Sequence, residues 1–323
     1  MGEFELIRRF FAAAACAQPS PAVALGIGDD CALLQLPVGE QLAVSTDTLV
    51  AGVHFPEGCD PFRLGQRALA AAASDLAAMG AAPLAFTLAL TLPQADPAWL
   101  QAFARGLDCM ARDCQLVLAG GDTTRGPLTI NISVLGSVPA ALALRRSGAR
   151  AGDLLCVGGT LGDAAAALPL VLGQGAAVPA ELAARLCERY WAPQPQLALG
   201  QALRGKASAA LDISDGLLAD CTHLATASGV ALKIEAARLP LSPGVVDWLG
   251  AEQSLACALG GGDDYRLVFT LPPAELSALQ ASWPGVTVIG QVLCGAGVQV
   301  VDAAGQTITA PRAGYQHFGG SGD

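Results

Sequence analysis

Lysine is almost missing from this chain of 323 residues: only Lys206 and Lys233 occur, and histidine is confined to His54, His223 and His317. So few imidazoles leave zinc poorly served, because zinc sites draw on His and Cys. Charged residues make up only 14%, and 28 Asp and Glu against 18 Lys and Arg leave a formal charge of −10. That balance repels phosphate backbones and anionic lipid surfaces, which argues against nucleic acid or membrane as a partner. No C-x-x-C pair occurs among the ten scattered cysteines, so the expectation is buried, reduced thiols in a cytoplasmic protein rather than a disulfide scaffold. There is no G-x-S-x-G elbow and no G-x-G-x-x-G opening a helix, which removes the usual serine-hydrolase and dinucleotide readings.

What the chain does have is apolar bulk. Hydrophobic residues reach 53%, ample to offset chain entropy, and the length suits two domains of roughly 150 residues each. Arg8-Arg9-Phe10-Phe11 followed by alanines imitates a signal segment, but Glu3 and Glu5 and the short apolar stretch favour an amphipathic helix over about residues 3–16. The uncharged run Leu76 to Ala95 is long enough to cross a bilayer. Gly80, Pro83 and Pro93 break it, and it reads as a helix end, a turn and a buried strand Leu84 to Leu92. Helices are expected over about Pro61–Met79 and, capped by Asp96, Pro97–Arg112. Strands are expected at Gln41–Ser45, Gln115–Ala119 and Thr129–Val138. The second half alternates strands and helices without a fixed repeat, as an α+β domain following an α/β one. The polar Arg145–Asp153 stretch places the boundary, giving domains 1–146 and 147–323.

Aspartates carry the chemical signal. They stand in Gly26-Ile-Gly-Asp-Asp30, Ser45-Thr-Asp47, Ser74-Asp75, Gly120-Gly-Asp-Thr-Thr124, Asp212-Ile-Ser-Asp-Gly216 and Gly260-Gly-Gly-Asp-Asp264. These contexts read as turns at strand ends, where α/β folds place ligands. Any one Asp beside Gly commonly caps a helix or closes a turn. Six such contexts point instead to hard-oxygen ligands for Mg²⁺, a cation that binds phosphates alongside one or two carboxylates. Gly200-Gln-Ala-Leu-Arg-Gly-Lys206 has P-loop spacing, but Ala207 replaces the Ser/Thr and a turn precedes it, so it reads as a helix end.

In order and spacing these motifs, with Ser45–Phe55, Arg146-Ser-Gly-Ala149 and Gly314-Tyr-Gln-His-Phe318, resemble the thiamine-monophosphate kinase family almost end to end. That family belongs to a wider group with aminoimidazole ribonucleotide synthetase and selenophosphate synthetase. The resemblance implies a two-domain fold: an N-terminal α/β ATP/Mg domain that forms a homodimer, and an α+β C-terminal domain completing the nucleotide and substrate site. It implies direct transfer of the ATP γ-phosphate to thiamine monophosphate, with several Mg²⁺ ions and no general base. Carried onto this sequence, Asp30, Ser45, Thr46, Asp47, Asp75, Asp122, Asp212 and Asp215 would hold metal. Gly121, Asp122, Arg146 and Ser214 would meet ATP, and His54, Asp263 and Phe318 the thiamine phosphate. Ala73, Asp263 and Arg266 depart from the family's usual Asn, Glu and acidic residue. The alternatives are a related synthetase with another acceptor, a non-catalytic Mg-nucleotide-binding protein, or a metal-dependent phosphohydrolase.

Overall fold

The structure, a computed structural model, describes residues 2–18, 20–174 and 177–308. The chain forms two compact units, Met1–Ala143 with Trp191–Gln201, and Leu144–Tyr190 with the chain from Ala202 onward.

The first unit opens with α1 (Glu3–Leu6), which runs into a π-helical turn, Ile7–Ala12. Leu6, Phe10 and Phe11 form its buried side, while Phe4 is exposed. The helix is thus shorter than the apolar spacing predicts, and it loses Phe4 from its inward face. A small ribbon, β1 (Val23–Leu25) with β2 (Leu33–Leu34), holds Asp29 and Asp30 in its loop. Then follow β3 (Glu40–Val50), α2 (Pro61–Ala78), β4 (Ala82–Leu92), α3 (Pro97–Cys114), β5 (Val117–Arg125) and β6 (Thr129–Pro139). The four long strands make one sheet in the order β3-β6-β4-β5, parallel only between β4 and β5.

Local chemistry explains both long helices. Asp60 and Asp96 accept the N–H of Phe62 and Ala98 at 2.9 Å, and each is followed by a proline at the first helical position. The helices then touch backbone to backbone, since a Cβ on Gly106 would lie 2.0 Å from the Phe62 carbonyl oxygen. Phe86, Leu90, Phe103 and Ile130 are among the fully buried side chains of this unit. The uncharged run from Leu76 divides into a helix end and a strand, but the turn falls at Met79-Gly80 and Pro83 lies inside β4 rather than before it. No helix among the described residues is long and apolar enough to cross a membrane.

The second unit holds β7 (Leu154–Gly158), α4 (Asp163–Val171), α5 (Ala180–Trp191), β8 (Ala209–Asp212), α7 (Leu217–Ser228), β9 (Ala231–Glu235), α8 (Pro243–Gly260, broken at Gly250), β10 (Leu267–Leu271), α9 (Pro273–Ser282), β11 (Val286–Leu293) and β12 (Gly297–Val301), while α6 (Leu197–Leu203), between α5 and β8 in the chain, belongs to the first unit through Gln201. Its sheet runs β12-β9-β11-β7-β10-β8 around a core of Leu155, Val157, Leu211, Leu217, Val268 and Ile289. Gly200–Lys206, with its P-loop spacing, falls on the end of α6 and the turn after it. Helix α8 has no counterpart in the sequence reading, because the glycine at its centre interrupts the apolar period. Cys16, Cys114, Cys156 and Cys221 are buried as expected, but Cys31 and Cys294 are exposed.

Candidate active site

Strand and helix periodicity decide which oxygens meet in the first unit. Ser45 and Asp47 lie two apart on β3 and share a face, and the Ser45 hydroxyl donates a hydrogen bond to Asp75 Oδ2 on α2. Thr46 points the other way, with its hydroxyl 2.7 Å from Ser133 Oγ, beside a second pair across the strands, Asn131 Nδ2 donating to Thr48 Oγ1 at 2.7 Å. The Thr46 side chain therefore does not join Ser45 and Asp47.

The expectation that the carboxylates emerge from turns needs correction at three positions. Asp75 is inside α2, Asp47 inside β3 and Asp122 inside β5. Continuous strand pairing extends β3 and β5 through their polar residues, because the neighbouring strands continue to offer partners there. Asp75 occupies the last turn of α2, which contains no basic residue. A carboxylate beside the negative end of a helix dipole is unfavourable until a cation compensates it.

Asp47 and Asp122 lie on opposite edges of the sheet. Asp47 pairs with Ile132, Ile132 with Leu88, and Leu88 with Gly121. Three strand spacings amount to about 14 Å, more than two aspartates can span around one Mg²⁺ at about 2.1 Å from each oxygen. Gly121 itself has φ +152°, and a Cβ there would lie 1.9 Å from the Leu88 carbonyl oxygen. Beside it an open, mainly apolar pocket is lined by Ile7, Phe11, Ile27, Leu88 and Leu118, with Asp122 and Thr123 at its polar side. His54, in the turn after β3, accepts the Val50 N–H on Nδ1 at 3.0 Å, which puts the ring proton on Nε2. Asp30 is exposed in its loop, its N–H bonded to Asp29 Oδ1 at 2.8 Å.

In the second unit, Asp212 ends β8 and is almost fully buried, and Ser214 and Asp215 form the turn into α7. A second loop is stitched to this one. Asp263 N–H donates to the Ser214 carbonyl at 2.9 Å and Tyr265 N–H to that of Ile213 at 2.8 Å. Asp263 (φ 70°) and Tyr265 (φ 47°) both adopt the left-handed region, a strain that the bonded neighbours hold in place. The Tyr265 hydroxyl donates to Asp263 Oδ1 at 3.2 Å, a contact the sequence reading missed because it passed over Tyr265. Arg146 is exposed, and its carbonyl accepts the Ser228 hydroxyl at 3.0 Å. Phe318 lies outside the described residues.

The buried Asp264 anchors the second loop by accepting the Gly162 N–H on both oxygens, at 2.8 and 3.1 Å. Burial pushes its carboxyl up to about 7, with Asp163 and Asp263 adding to the rise against the opposing Gly162 bond and Arg266. The folded chain thus retains a proton that the unfolded chain releases near pH 3.8. Stability is therefore expected to fall as pH rises from about 4 to about 7, with a slope of up to about 1.4 kcal/mol per pH unit. Urea titrations in EDTA should show a shallower slope for Asp264→Asn, and an unchanged slope would contradict the assignment.

Among the described residues no three His, Cys, Asp or Glu side chains gather as a ready-made metal cage. The donors come in ones and twos, all hard oxygens, which is what Mg²⁺ takes when substrate phosphates and waters complete its shell. Burial, then the charges of Asp212 and Asp215, push Asp220 up to about 7, a further sign of uncompensated negative charge at this turn. The donor set fits Mg²⁺.

Family models for AIR synthase related proteins match residues 28–138 (N-terminal domain) and 150–303 (C-terminal domain). The thiamine-monophosphate kinase of Escherichia coli K12 is 44% identical over 321 residues, covering 98% of each chain. The chain belongs to the thiamine-monophosphate kinase family. The crystal structure of the thiamine-monophosphate kinase from Stenotrophomonas maltophilia K279a superimposes with a TM-score of 0.85 at 43% identity, covering 95% of this chain and 98% of that one. A structure described as AaThiL complexed with AMPPCP and TMP matches with a TM-score of 0.77 at 32% identity over 93% of both chains. This thiamine-monophosphate kinase family member is accordingly an enzyme with the two-domain AIR synthase fold.

Proposed function

We propose that the chain transfers the γ-phosphate of ATP directly to the phosphate of thiamine monophosphate, giving thiamine diphosphate and ADP. The observation that carries this reading is the hydrogen bond that joins Ser45 on β3 to Asp75 at the C-terminal end of α2, with Asp47 two residues along on the same face of β3 and no basic residue in that helix turn. Mg²⁺ bound there would neutralise phosphate charge, the main requirement of phosphoryl transfer. Asp30, Ser45, Asp47, Asp75, Asp122, Asp212 and Asp215 would hold Mg²⁺ through side-chain oxygens, and Thr46, on an edge strand with its hydroxyl against Ser133, would contribute through its main chain.

Gly121, Arg146 and Ser214 contact ATP, and the apolar cavity beside Gly121 suits its base. His54 presents its Nε2–H to the acceptor phosphate, while Asp263 and Phe318 take the thiamine rings, charge against charge and ring against ring. Asp263 is one methylene shorter than Glu, and the hydrogen bond from Tyr265 fixes where it points. An acceptor phosphate is already largely ionised near neutral pH, so no side chain needs to take a proton from it.

The working unit is a homodimer. Asp47 and Asp122 sit on opposite sheet edges, so a shared metal site takes Asp47 from one protomer and Asp122 from its partner. Cysteines that form no disulfide among the described residues suit a reducing compartment, the cytoplasm. The deciding assay measures ADP from Mg-ATP with and without thiamine monophosphate, with product resolved as fluorescent thiochrome. ADP and thiamine diphosphate should appear together and only with the acceptor. ADP release without acceptor would replace the kinase reading with a phosphohydrolase.

A further inference from the structure

Asp220 touches neither substrate in the roles assigned above, yet it holds the turn that carries three of the proposed contacts. Helix α7 begins at Leu217, and its N-cap residue, Gly216, has no side chain to cap it. The chain solves this from within the first turn of the helix. Asp220 Oδ2 accepts the N–H groups of Ser214 at 3.1 Å, Asp215 at 3.2 Å and Gly216 at 3.2 Å. Its side chain is almost wholly buried, at 3% exposure. Consecutive N–H groups at a helix start commonly cradle phosphate. Here the cradle is filled by the chain's own carboxylate, so backbone donors in this turn cannot take a phosphate of ATP, and recognition there falls to cations held by Asp212 and Asp215.

The carbonyl side of the same turn is held independently. Asp263 N–H bonds the Ser214 carbonyl, and a Cβ on Gly262 would lie 2.5 Å from that oxygen. The turn is thus gripped from both sides, with the Asp220 carboxylate on the N–H side.

We infer that Asp220 is a positioning residue: by binding the N–H groups of Ser214, Asp215 and Gly216 it sets the geometry in which Asp212 and Asp215 take a divalent cation. This rests on the metal-assisted kinase reading. The test compares wild type with Asp220→Asn, which keeps size and one carbonyl acceptor, and with Asp220→Ala. Mn²⁺ binding to the full chain, with a non-hydrolysable ATP analogue present, is followed by electron paramagnetic resonance, alongside circular dichroism and the Mg²⁺ dependence of turnover.

Mn²⁺ affinity should fall by about tenfold or more in Asp220→Asn, as happens when a residue supporting metal ligands is lost. The Mg²⁺ needed for half-maximal rate should rise in step, while the rate at saturating Mg²⁺ largely returns. With Asp212→Asn and Asp215→Asn both in place, the same change should cost Mn²⁺ affinity by less than about twofold, because lost ligands cannot be mispositioned. A folded Asp220→Asn protein with wild-type Mn²⁺ affinity would overturn the inference. Wild type that binds no Mn²⁺ would overturn it together with the metal reading. A tenfold loss in a chain that makes no thiamine diphosphate would uphold the role of Asp220 and remove only the kinase.

Discussion

Asp47→Ala and Asp122→Ala are each expected to lower thiamine diphosphate formation by about a thousandfold or more, with circular dichroism unchanged. Both residues lie on well-paired strands whose hydrogen bonds belong to the backbone, so removing either carboxylate leaves the sheet intact. Lys206 and Lys233 are the only lysines in the chain, so charge neutralisation depends on cations that these aspartates hold. The strand order adds a stronger test. If one site takes Asp47 from one protomer and Asp122 from its partner, co-expressing the two inactive variants restores one intact site in every mixed dimer. Random assortment makes half the dimers mixed, so activity should return to about a quarter of wild type. Mixed dimers, separated by two affinity tags, that stay inactive would show that both carboxylates act within one protomer.

Gly121→Ala is expected to cost about 3 kcal/mol or more and to remove nearly all activity. Two effects add. A Cβ at 1.9 Å from the Leu88 carbonyl oxygen would force β4 and β5 apart, and φ +152° is a conformation that an L side chain rarely adopts. The displaced backbone carries Asp122 in its next residue. Gly120→Ala is the matched control for stability, because nothing lies within 4 Å of a Cβ there. Thermal melts should show a large drop for Gly121→Ala and little change for Gly120→Ala. Equal melting temperatures would refute the steric argument.

Much of the local structure was legible because short-range chemistry sets it. Asp60-Pro61 and Asp96-Pro97 each combine an N-cap with a proline at the first helical position, and both helices begin there. Thr129–Val138 forms the strand its pattern predicts, one residue longer in the fold. Helix α8 was hidden because Gly250, at φ 78°, breaks its period in the middle. The aspartates that make a donor set were equally visible, since residue type and glycine context are properties of the chain itself. Their settings were not. Asp47 and Asp122 read as turn residues because Thr and Gly are common in loops, and only pairing with β6 and β4 makes them strand residues.

The sequence by itself determined which oxygens are available, where the capped helices begin, and that lysine and histidine chemistry would be sparse. Tertiary structure decided which of those oxygens meet. It brought Asp75 to Ser45, sent the Thr46 hydroxyl to the opposite face, and put Asp47 and Asp122 on opposite edges of one sheet. It also closed Asp220 over a turn that has no cap of its own. The reason is physical. Caps and turns depend on neighbours a few residues away, whereas strand order and loop stitching come from contacts between distant residues that settle together only when the core packs.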